Sequence, residues 1–272
     1  MNMNIILYTS SGNRSGGSRQ ALYLAQGMTR RGHRVHFFVP ENSTLPAIAP
    51  EEPFWRSLGA RHEWRRQIES VMLPDGPNVV HAFHNAAVKK AAWWGLFWKK
   101  KAVVAAHRGV LFRPNNPLPY WSPGIDRFLV NSRACARVLR TVGLSSKRIV
   151  YVPNSVPDER VEATLQREYV RNALGVPNNA FLFMTVANNS KYKGVTELIR
   201  AFAKAFPSDW QPGSAGLPVL PHLLVIGVSP GLWQPLAAEA GKERHIHFLD
   251  SLEDVGNYLK ASSAFVLPSL TE

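Results

Sequence analysis

Two lysines, Lys191 and Lys193, stand in a short polar loop that begins at Asn188 and ends at Gly194. The apolar run before this loop predicts a strand, and the pattern after it predicts a helix. Ammonium groups beside the free amide groups at the start of a helix can neutralise the charge that grows on a departing diphosphate. On spacing alone, a pair of solvated lysines in a turn is an equally good interpretation.

A second candidate for anion binding is the turn Gly16-Gly17-Ser18, which separates a predicted strand at 4–8 from a predicted helix at 20–31. The backbone amides and the positive end of the helix would face a bound anion, and glycine allows a close approach to the backbone. The turn lacks the full dinucleotide fingerprint, so a simple connecting turn is as good an interpretation.

Two further side chains are predicted at strand ends. His107 follows the predicted strand 102–106 and would stand at the carboxyl edge of a sheet, where ligands bind in open α/β folds. A histidine there is more often a surface or hydrogen-bonded structural residue. Glu272 follows an apolar run that begins at Phe265 and is interpreted as a buried strand, which would deliver the carboxylate to a ligand crevice. The alternative is an ordinary solvated carboxylate.

Alternating strand and helix signals must position these side chains. Strands are predicted at 4–8, 35–39, 79–82, 102–106, 126–131 and 148–153, which favours an α/β fold with a mostly parallel sheet. The segment from Pro153 to Pro157 breaks the alternation, and a polar, helical stretch is predicted after it, at 158–174. We therefore predict two domains, residues 1–157 and residues 158–272.

The order of Gly16-Gly17, Pro153-Asn154, Lys193-Gly194 and the final Pro-Ser-Leu-Thr-Glu resembles the GT4-type retaining glycosyltransferases. The resemblance covers essentially the whole chain, although each motif is short. It implies the GT-B fold, in which two Rossmann-like domains with mostly parallel sheets face each other across a cleft. It also implies a hexosyltransferase that moves a sugar from a nucleotide-sugar donor to a cell-envelope glycan or glycolipid with retention of configuration.

In that family the Pro-Ser-x-x-Glu element opens a pair of glutamates, and the second would fall beyond Glu272. We therefore expect the second domain to be incomplete and this chain to transfer sugar weakly or not at all. No Asp-x-Asp metal motif occurs in the sequence. Because the resembled family generally needs no metal, we expect neither a metal nor another cofactor.

The resemblance also implies roles for individual residues. His107 and Glu272 would meet the donor sugar, Gly17 its phosphates, and Lys193 the leaving diphosphate. Asn188 stands where the family usually has an arginine, and Lys191 is the expected substitute. The implied sets are catalytic His107, Lys193 and Glu272; donor-binding Gly16, Gly17, Asn188, Lys191, Lys193 and Glu272; and acceptor-binding Arg108 and Arg113. A Pro-rich loop at 114–121 would form a lid beside the two arginines, or is an ordinary surface loop.

Positive charge is concentrated in the first half of the chain. Residues 1–160 contain 23 Lys and Arg against 9 Asp and Glu, whereas residues 161–272 contain 9 against 10. This distribution favours an anionic partner, whether a phosphate-bearing lipid, a lipid A-type glycan or a nucleic acid. No recognised nucleic-acid motif occurs, so we expect an anionic glycolipid such as a lipopolysaccharide core. The alternative is a non-catalytic protein that binds nucleic acid or a sugar nucleotide.

The segment from Lys89 to Lys101 contains clustered aromatic residues flanked by lysines. On a helix, Trp94, Phe97 and Trp98 share one face, a pattern suited to an anionic membrane interface, while an equally good interpretation makes the tryptophans core residues. The sequence has neither a secretion signal nor an apolar run long enough to span a membrane. We predict a cytoplasmic protein, peripheral on the inner face of the cell membrane, whose single Cys135 is a buried structural thiol.

Overall fold

The chain forms two compact units, Met1–Val156 and Pro157–Glu272, and the computed structural model describes residues 2–271. The boundary predicted from the sequence lies one residue further along, after Pro157. Each unit has its own sheet and its own hydrophobic cores.

The first unit is built on a parallel sheet of seven described strands. The strands are β1 (Asn4–Thr9), β2 (Arg34–Pro40), β3 (Trp55–Leu58), β4 (Asn78–Phe83), β5 (Ala102–Arg108), β6 (Arg127–Val130) and β7 (Ile149–Tyr151). The helices are α1 (Gly16–Arg30), α2 (Trp64–Glu69), α3 (Asn85–Trp98), α4 (Leu118–Trp121) and α5 (Arg133–Thr141).

The strand order is β3-β2-β1-β4-β5-β6-β7, so the direction of winding reverses between β1 and β4. These two strands pair in parallel, with Tyr8 opposite Ala82 and Thr9 opposite Phe83. At such a reversal the connections leave the sheet on opposite faces, which opens a crevice beyond the carboxyl ends of the strands. The carboxyl ends of β1 and β4 are therefore the expected place for a ligand in this unit.

Alternation along the strands divides the core of the first unit between the two faces of the sheet. Tyr8, Val80 and Phe128 are buried on one face, in the cluster that also contains residues of α3 and α5. Leu7 and Phe37 are buried on the other face with residues of α1. The burial of both faces explains why the sequence of these strands is almost continuously apolar.

The second unit is a smaller parallel sheet with order β10-β9-β8-β11. The strands are β8 (Leu182–Val186), β9 (His222–Ile226), β10 (Ile246–Leu249) and β11 (Ala264–Phe265). The helices are α6 (Arg167–Leu174), α7 (Val195–Ala205), α8 (Pro230–Glu239) and α9 (Val255–Ala261). Here too the direction of winding reverses, between β8 and β11, so the loops that follow β8 and β11 are the expected ligand-binding loops.

Three sequence predictions about these elements are wrong. His107 lies within β5 rather than after it, because the strand extends to Arg108. The predicted helix 158–174 consists of a single 3₁₀ turn, Asp158–Arg160, and the later helix α6. The final strand is not buried, since β11 is an edge strand on which Phe265 is exposed.

The prediction that Trp94, Phe97 and Trp98 form one exposed face of α3 is also wrong. Trp98 has no exposed area, and its indole nitrogen donates to Glu69 Oε1 at 2.7 Å. Trp94 is half-buried, with its ring 6.0 Å from that of Tyr8, whereas Phe97 is 66% exposed. The core interpretation therefore holds for the tryptophans at 94 and 98. Cys135 is buried on α5, as predicted. No helix within residues 2–271 is long and apolar enough to cross a membrane.

Candidate functional site

The start of α1 lies just beyond the carboxyl end of β1. Ser15 caps the helix, its hydroxyl oxygen accepting from the Ser18 amide at 3.3 Å. Gly16 and Gly17 are the first two helical residues, and the first amide groups of a helix have no acceptor within it. The predicted anion-binding amides are thus placed at a positive helix end, within a helix of 15 residues.

His84, which sequence reasoning missed, faces this helix start. It immediately follows β4 and precedes α3, and its Nδ1 is 2.7 Å from Thr9 Oγ1. A β-carbon built at Gly17 would stand 3.1 Å from His84 Nε2. The end of β1, the start of α1 and the end of β4 are therefore brought together at the reversal of the sheet.

The backbone of His84 is strained. With φ at 70° and ψ at 152°, His84 is the one non-glycine residue with positive φ in the described part of the chain. Such a conformation costs about 1–3 kcal/mol and persists only where the surroundings impose it. Burial lowers the pKa of the imidazole, so the ring is neutral at pH 7.

His107 lies one strand further along, on β5. Its ring stacks on that of Phe83 with centroids 5.0 Å apart. Burial, assisted by the charge that His84 would carry, lowers the pKa of His107 to about 4. The neighbouring His81 is buried more deeply, and its pKa is lowered to about 3. His81 and His107 both line a cavity of about 240 Å³ beside α1, and at pH 7 they present neutral imidazoles to it.

In the second unit, the loop that follows β8 is pinned to the start of α8. Asn189 Oδ1 accepts from the Ser229 amide at 3.1 Å and from Trp233 Nε1 at 3.0 Å. Asn188 closes a small turn by accepting from the Ser190 amide at 3.0 Å. Asn188 is exposed, and this hydrogen bond lies within its own loop, so the contact forms a turn. The binding of the sugar donor by Asn188 stays a prediction.

The two lysines of this loop lie in a 3₁₀ turn, Lys191–Lys193, that leads into α7. Lys191 is exposed, and its Nζ lies 5.4 Å from the centre of the Tyr192 ring. Gly194 ends the turn with φ at 66°, and a β-carbon there would overlap the carbonyl oxygen of Pro268. The positive φ and the close backbone approach both require glycine at the start of this helix.

The end of the chain runs beside the lysine turn. The Leu270 amide donates to the Tyr192 carbonyl at 2.8 Å, in addition to the close approach of Pro268 to Gly194. The Ser269 hydroxyl is buried and has no partner among the described residues. Glu272, predicted to meet a sugar, lies outside the described residues.

Arg108 and Arg113 line one pocket of about 320 Å³ in the first unit, together with Asn85, Lys89 and Tyr120. The structure therefore brings the two predicted acceptor-binding arginines together. No group of three or more His, Cys, Asp or Glu side chains within residues 2–271 is placed to hold a metal ion. The roles proposed for the individual residues stay predictions.

Two family models match the chain. Glycosyltransferase Family 4 matches residues 14–160, and Glycosyl transferases group 1 matches residues 166–272. No curated protein sequence matches the chain.

Solved structures of similar fold cover nearly the whole chain. Anabaena HepE in complex with UDP-glucose matches 98% of this chain and 74% of its own, with a TM-score of 0.77 and 14% identity. A glycosyltransferase from Rickettsia africae matches 99% of this chain and 74% of its own, with a TM-score of 0.76 and 15% identity. WaaG, described as a glycosyltransferase involved in lipopolysaccharide biosynthesis, matches 98% of this chain and 75% of its own, with a TM-score of 0.60 and 17% identity.

Proposed function

This chain belongs to glycosyltransferase family 4, and we propose that it moves a hexosyl group from a nucleotide-sugar donor to an anionic cell-envelope glycan or glycolipid with retention of configuration. The predicted fold class, α/β with two Rossmann-like domains of the GT-B type, is confirmed. The donor, the acceptor and the stereochemistry are the proposed parts.

The observation that carries the proposal is the lysine turn of the second unit. Lys191 and Lys193 stand at the carboxyl end of β8, directly before the amino end of α7. In sugar transfer from a nucleotide sugar, negative charge grows on the departing diphosphate. Fixed cations and helix amides at that position stabilise this charge more in the transition state than in the ground state, which lowers the barrier.

The rigidity of the turn supports the same role. Asn189 ties the loop to α8, and the close approach of Pro268 to Gly194 fixes the start of α7. A preorganised cation costs little reorganisation when the diphosphate charge develops. The remaining roles in the proposal, those of Gly16, Gly17, His107 and Glu272, are the ones the family resemblance implies.

The similar structures suggest which donor to test first. Anabaena HepE was solved with UDP, with UDP-glucose, and with UDP and glucose. WaaG and WaaB are described as enzymes of lipopolysaccharide biosynthesis and of its outer core. These neighbours make UDP-hexoses the first donors to test and a lipopolysaccharide core the first acceptor.

Calorimetric titration of the whole chain with UDP-glucose, UDP-galactose and UDP tests donor binding before turnover. We expect one of the UDP-hexoses to bind, and we expect Lys193→Gln to weaken its binding about tenfold or more by removing a charge-assisted contact to the diphosphate. Lys204→Gln is the matched control, because Lys204 is exposed near the end of α7 and its replacement removes the same charge from the same unit.

Transfer is then measured by mass spectrometry of a lipopolysaccharide-core acceptor, and NMR of the anomeric proton in the product reports the configuration. An inverted product would contradict retention alone. Binding of generic RNA with a steep salt dependence, together with no binding of any nucleotide sugar, would overturn the proposal in favour of a nucleic-acid-binding protein.

We further propose a cytoplasmic protein at the inner face of the cell membrane. The first unit carries most of the positive charge of the chain, and anionic lipid surfaces attract such a protein. The exposed aromatic residues of α3 provide the apolar contact that a membrane-bound acceptor would require.

A further inference from the structure

A pocket at the end of β5, here called the basic pocket, is lined within the described part of the chain by three cationic side chains and no carboxylate. Lys89 comes from α3, Arg108 from β5 and Arg113 from the loop after β5, with Asn85 and Tyr120 completing the polar wall. The amino end of α3 adds its partial positive charge, because Asn85 is the first residue of that helix. The electrostatics of this pocket therefore favour an anion.

Arg108 is held rigidly at the bottom of this arrangement. It is 4% exposed, and its Nη1 donates to Asn85 Oδ1 at 2.8 Å and to the Tyr120 hydroxyl at 2.7 Å. Its Nη2 donates to the carbonyl oxygen of Phe112. These partners are all uncharged, so they orient the guanidinium without neutralising it.

A buried guanidinium without a carboxylate is costly unless an anion compensates it. The Nε of Arg108 is buried and has no hydrogen-bond partner among the described residues. Of the side chains that line the pocket, Lys89 and Arg113 are exposed, so their charges are available to a ligand that enters from solvent. The pocket thus combines one buried, uncompensated cation with two exposed ones.

From these observations we infer that the basic pocket binds a phosphate ester carried by the acceptor. The identification of the ester with the acceptor rests on the proposed function, whereas the binding of phosphate does not. A phosphate monoester carries up to two charges and three acceptor oxygens, which suits three converging cationic side chains better than a single carboxylate would.

The rim of the basic pocket indicates what the phosphate is attached to. Phe112 is 60% exposed and lines the pocket, and Leu118, the first residue of α4, is 56% exposed. Exposed apolar side chains beside a cationic pocket match an amphiphile with a phosphorylated head. A water-soluble sugar phosphate shares the head-group chemistry but gains nothing from the rim.

Calorimetric titration with inorganic phosphate, hexyl phosphate and hexyl glucoside separates these ligands. We expect hexyl phosphate to bind and hexyl glucoside not to bind. The double variant Lys89→Gln/Arg113→Gln should weaken the binding of hexyl phosphate about tenfold or more. The matched control Arg137→Gln/Lys147→Gln removes two exposed charges elsewhere in the first unit and should leave the affinity within about twofold. Circular dichroism checks that all variants are folded.

Each outcome decides a point. Equal weakening by the two double variants would overturn the inference, because it would mean diffuse attraction by the basic unit. Displacement of hexyl phosphate by UDP would also overturn it, by assigning the pocket to the donor. Equal affinities for inorganic and hexyl phosphate would support the phosphate site but would show that the apolar rim does not contact the alkyl chain. If hexyl phosphate binds as expected and no nucleotide sugar binds, the pocket stands and the proposed function fails.

Discussion

The imidazole of His84 lies against the backbone of Gly17, with Nε2 only 3.1 Å from where a β-carbon at position 17 would stand. His84 is itself fixed through Nδ1 by Thr9 Oγ1 at 2.7 Å. The glycine at 17 therefore makes room for a histidine that the fold holds in place. This adds a steric reason for Gly17 to its expected role of letting an anion approach the amides of α1.

Gly17→Ala should push the His84 ring away from the start of α1 and weaken donor binding by about tenfold, measured by titration with UDP-glucose. The matched control is Gly27→Ala on the same helix, where the new methyl group meets only the flexible end of Arg31 at 3.4 Å. Gly27→Ala should leave donor binding unchanged and stabilise the protein by about 0.5–1 kcal/mol, because alanine is the better helix former. Equal affinities of wild type and Gly17→Ala would show that the position of His84 does not matter for the donor.

A second prediction isolates the backbone strain at His84. Both His84→Gly and His84→Ala remove the imidazole and its bond to Thr9, but only glycine adopts φ near 70° and ψ near 152° without strain. His84→Gly should therefore be more stable than His84→Ala by about 1–3 kcal/mol in urea unfolding. Equal stabilities, or a more stable alanine variant, would mean that the loop relaxes to negative φ once the ring is gone.

The sequence predicted the framework of both units because strands buried on both faces are recognisable as short apolar runs. Asn4–Thr9 and Leu182–Val186 are such runs, and glycine turns follow each of them. The edge strand Trp55–Leu58 and the helix Trp64–Glu69 were not predicted, since both are short and contain few apolar residues. Whether such a segment becomes regular structure is decided by its tertiary contacts, here the pairing of β3 with β2.

The place of Lys193 in a loop between a strand and a helix was predictable, because the Lys-Gly pair stands between two recognisable patterns. His84 was missed because its distinguishing feature is a positive φ on a non-glycine residue, which no residue pattern announces. The face of α3 was misjudged for a related reason. Helical periodicity groups Trp94 with Trp98, but it does not say which of the possible faces packs on the sheet.

The free energy of unfolding should depend on pH through the deeply buried His81. Its pKa is lowered to about 3 by burial and by the neighbouring His107, so the unfolded chain binds a proton more readily than the native state does. The contribution is complete above the unfolded pKa, near 6.5, and is lost as the pH falls towards 3. At pH 5 the loss should amount to about 2 kcal/mol.

Urea unfolding at pH 7 and at pH 5 measures this loss in the wild type and in His81→Phe, which cannot titrate at this position. The variant should lose about 2 kcal/mol less than the wild type between the two pH values. An identical loss in both proteins would place the titration elsewhere, for instance at His36 or His222, whose pKa values are also lowered to about 4 by burial.

Arg171 should be a main stabilising residue of the second unit. It is fully buried, and its guanidinium donates to the carbonyl oxygens of Ala261, Pro177 and Ala180 at 2.8–2.9 Å. Arg171→Met leaves these buried acceptors unpaired and should destabilise the unit by about 3 kcal/mol or more. Hydrogen exchange of peptides from residues 157–271 measures this, with the exposed Arg200→Met as control. Unchanged exchange in the Arg171 variant would mean that water replaces the guanidinium at no cost.

Membrane binding, if it uses α3, should depend on Trp93 and Phe97. Trp93 is 58% and Phe97 66% exposed, and the Arg65 guanidinium lies 4.8 Å from the centre of the Phe97 ring, so apolar and cationic groups share this surface. Trp93→Ser/Phe97→Ser should weaken co-sedimentation with phosphatidylglycerol vesicles about tenfold or more, since interfacial aromatic burial contributes the apolar part of the affinity. The control Tyr169→Ser/Leu232→Ser removes two similarly exposed apolar side chains from the second unit and should leave vesicle binding unchanged. Loss of binding in both double variants would indicate a general loss of surface hydrophobicity, and loss in neither would remove α3 from the membrane interface.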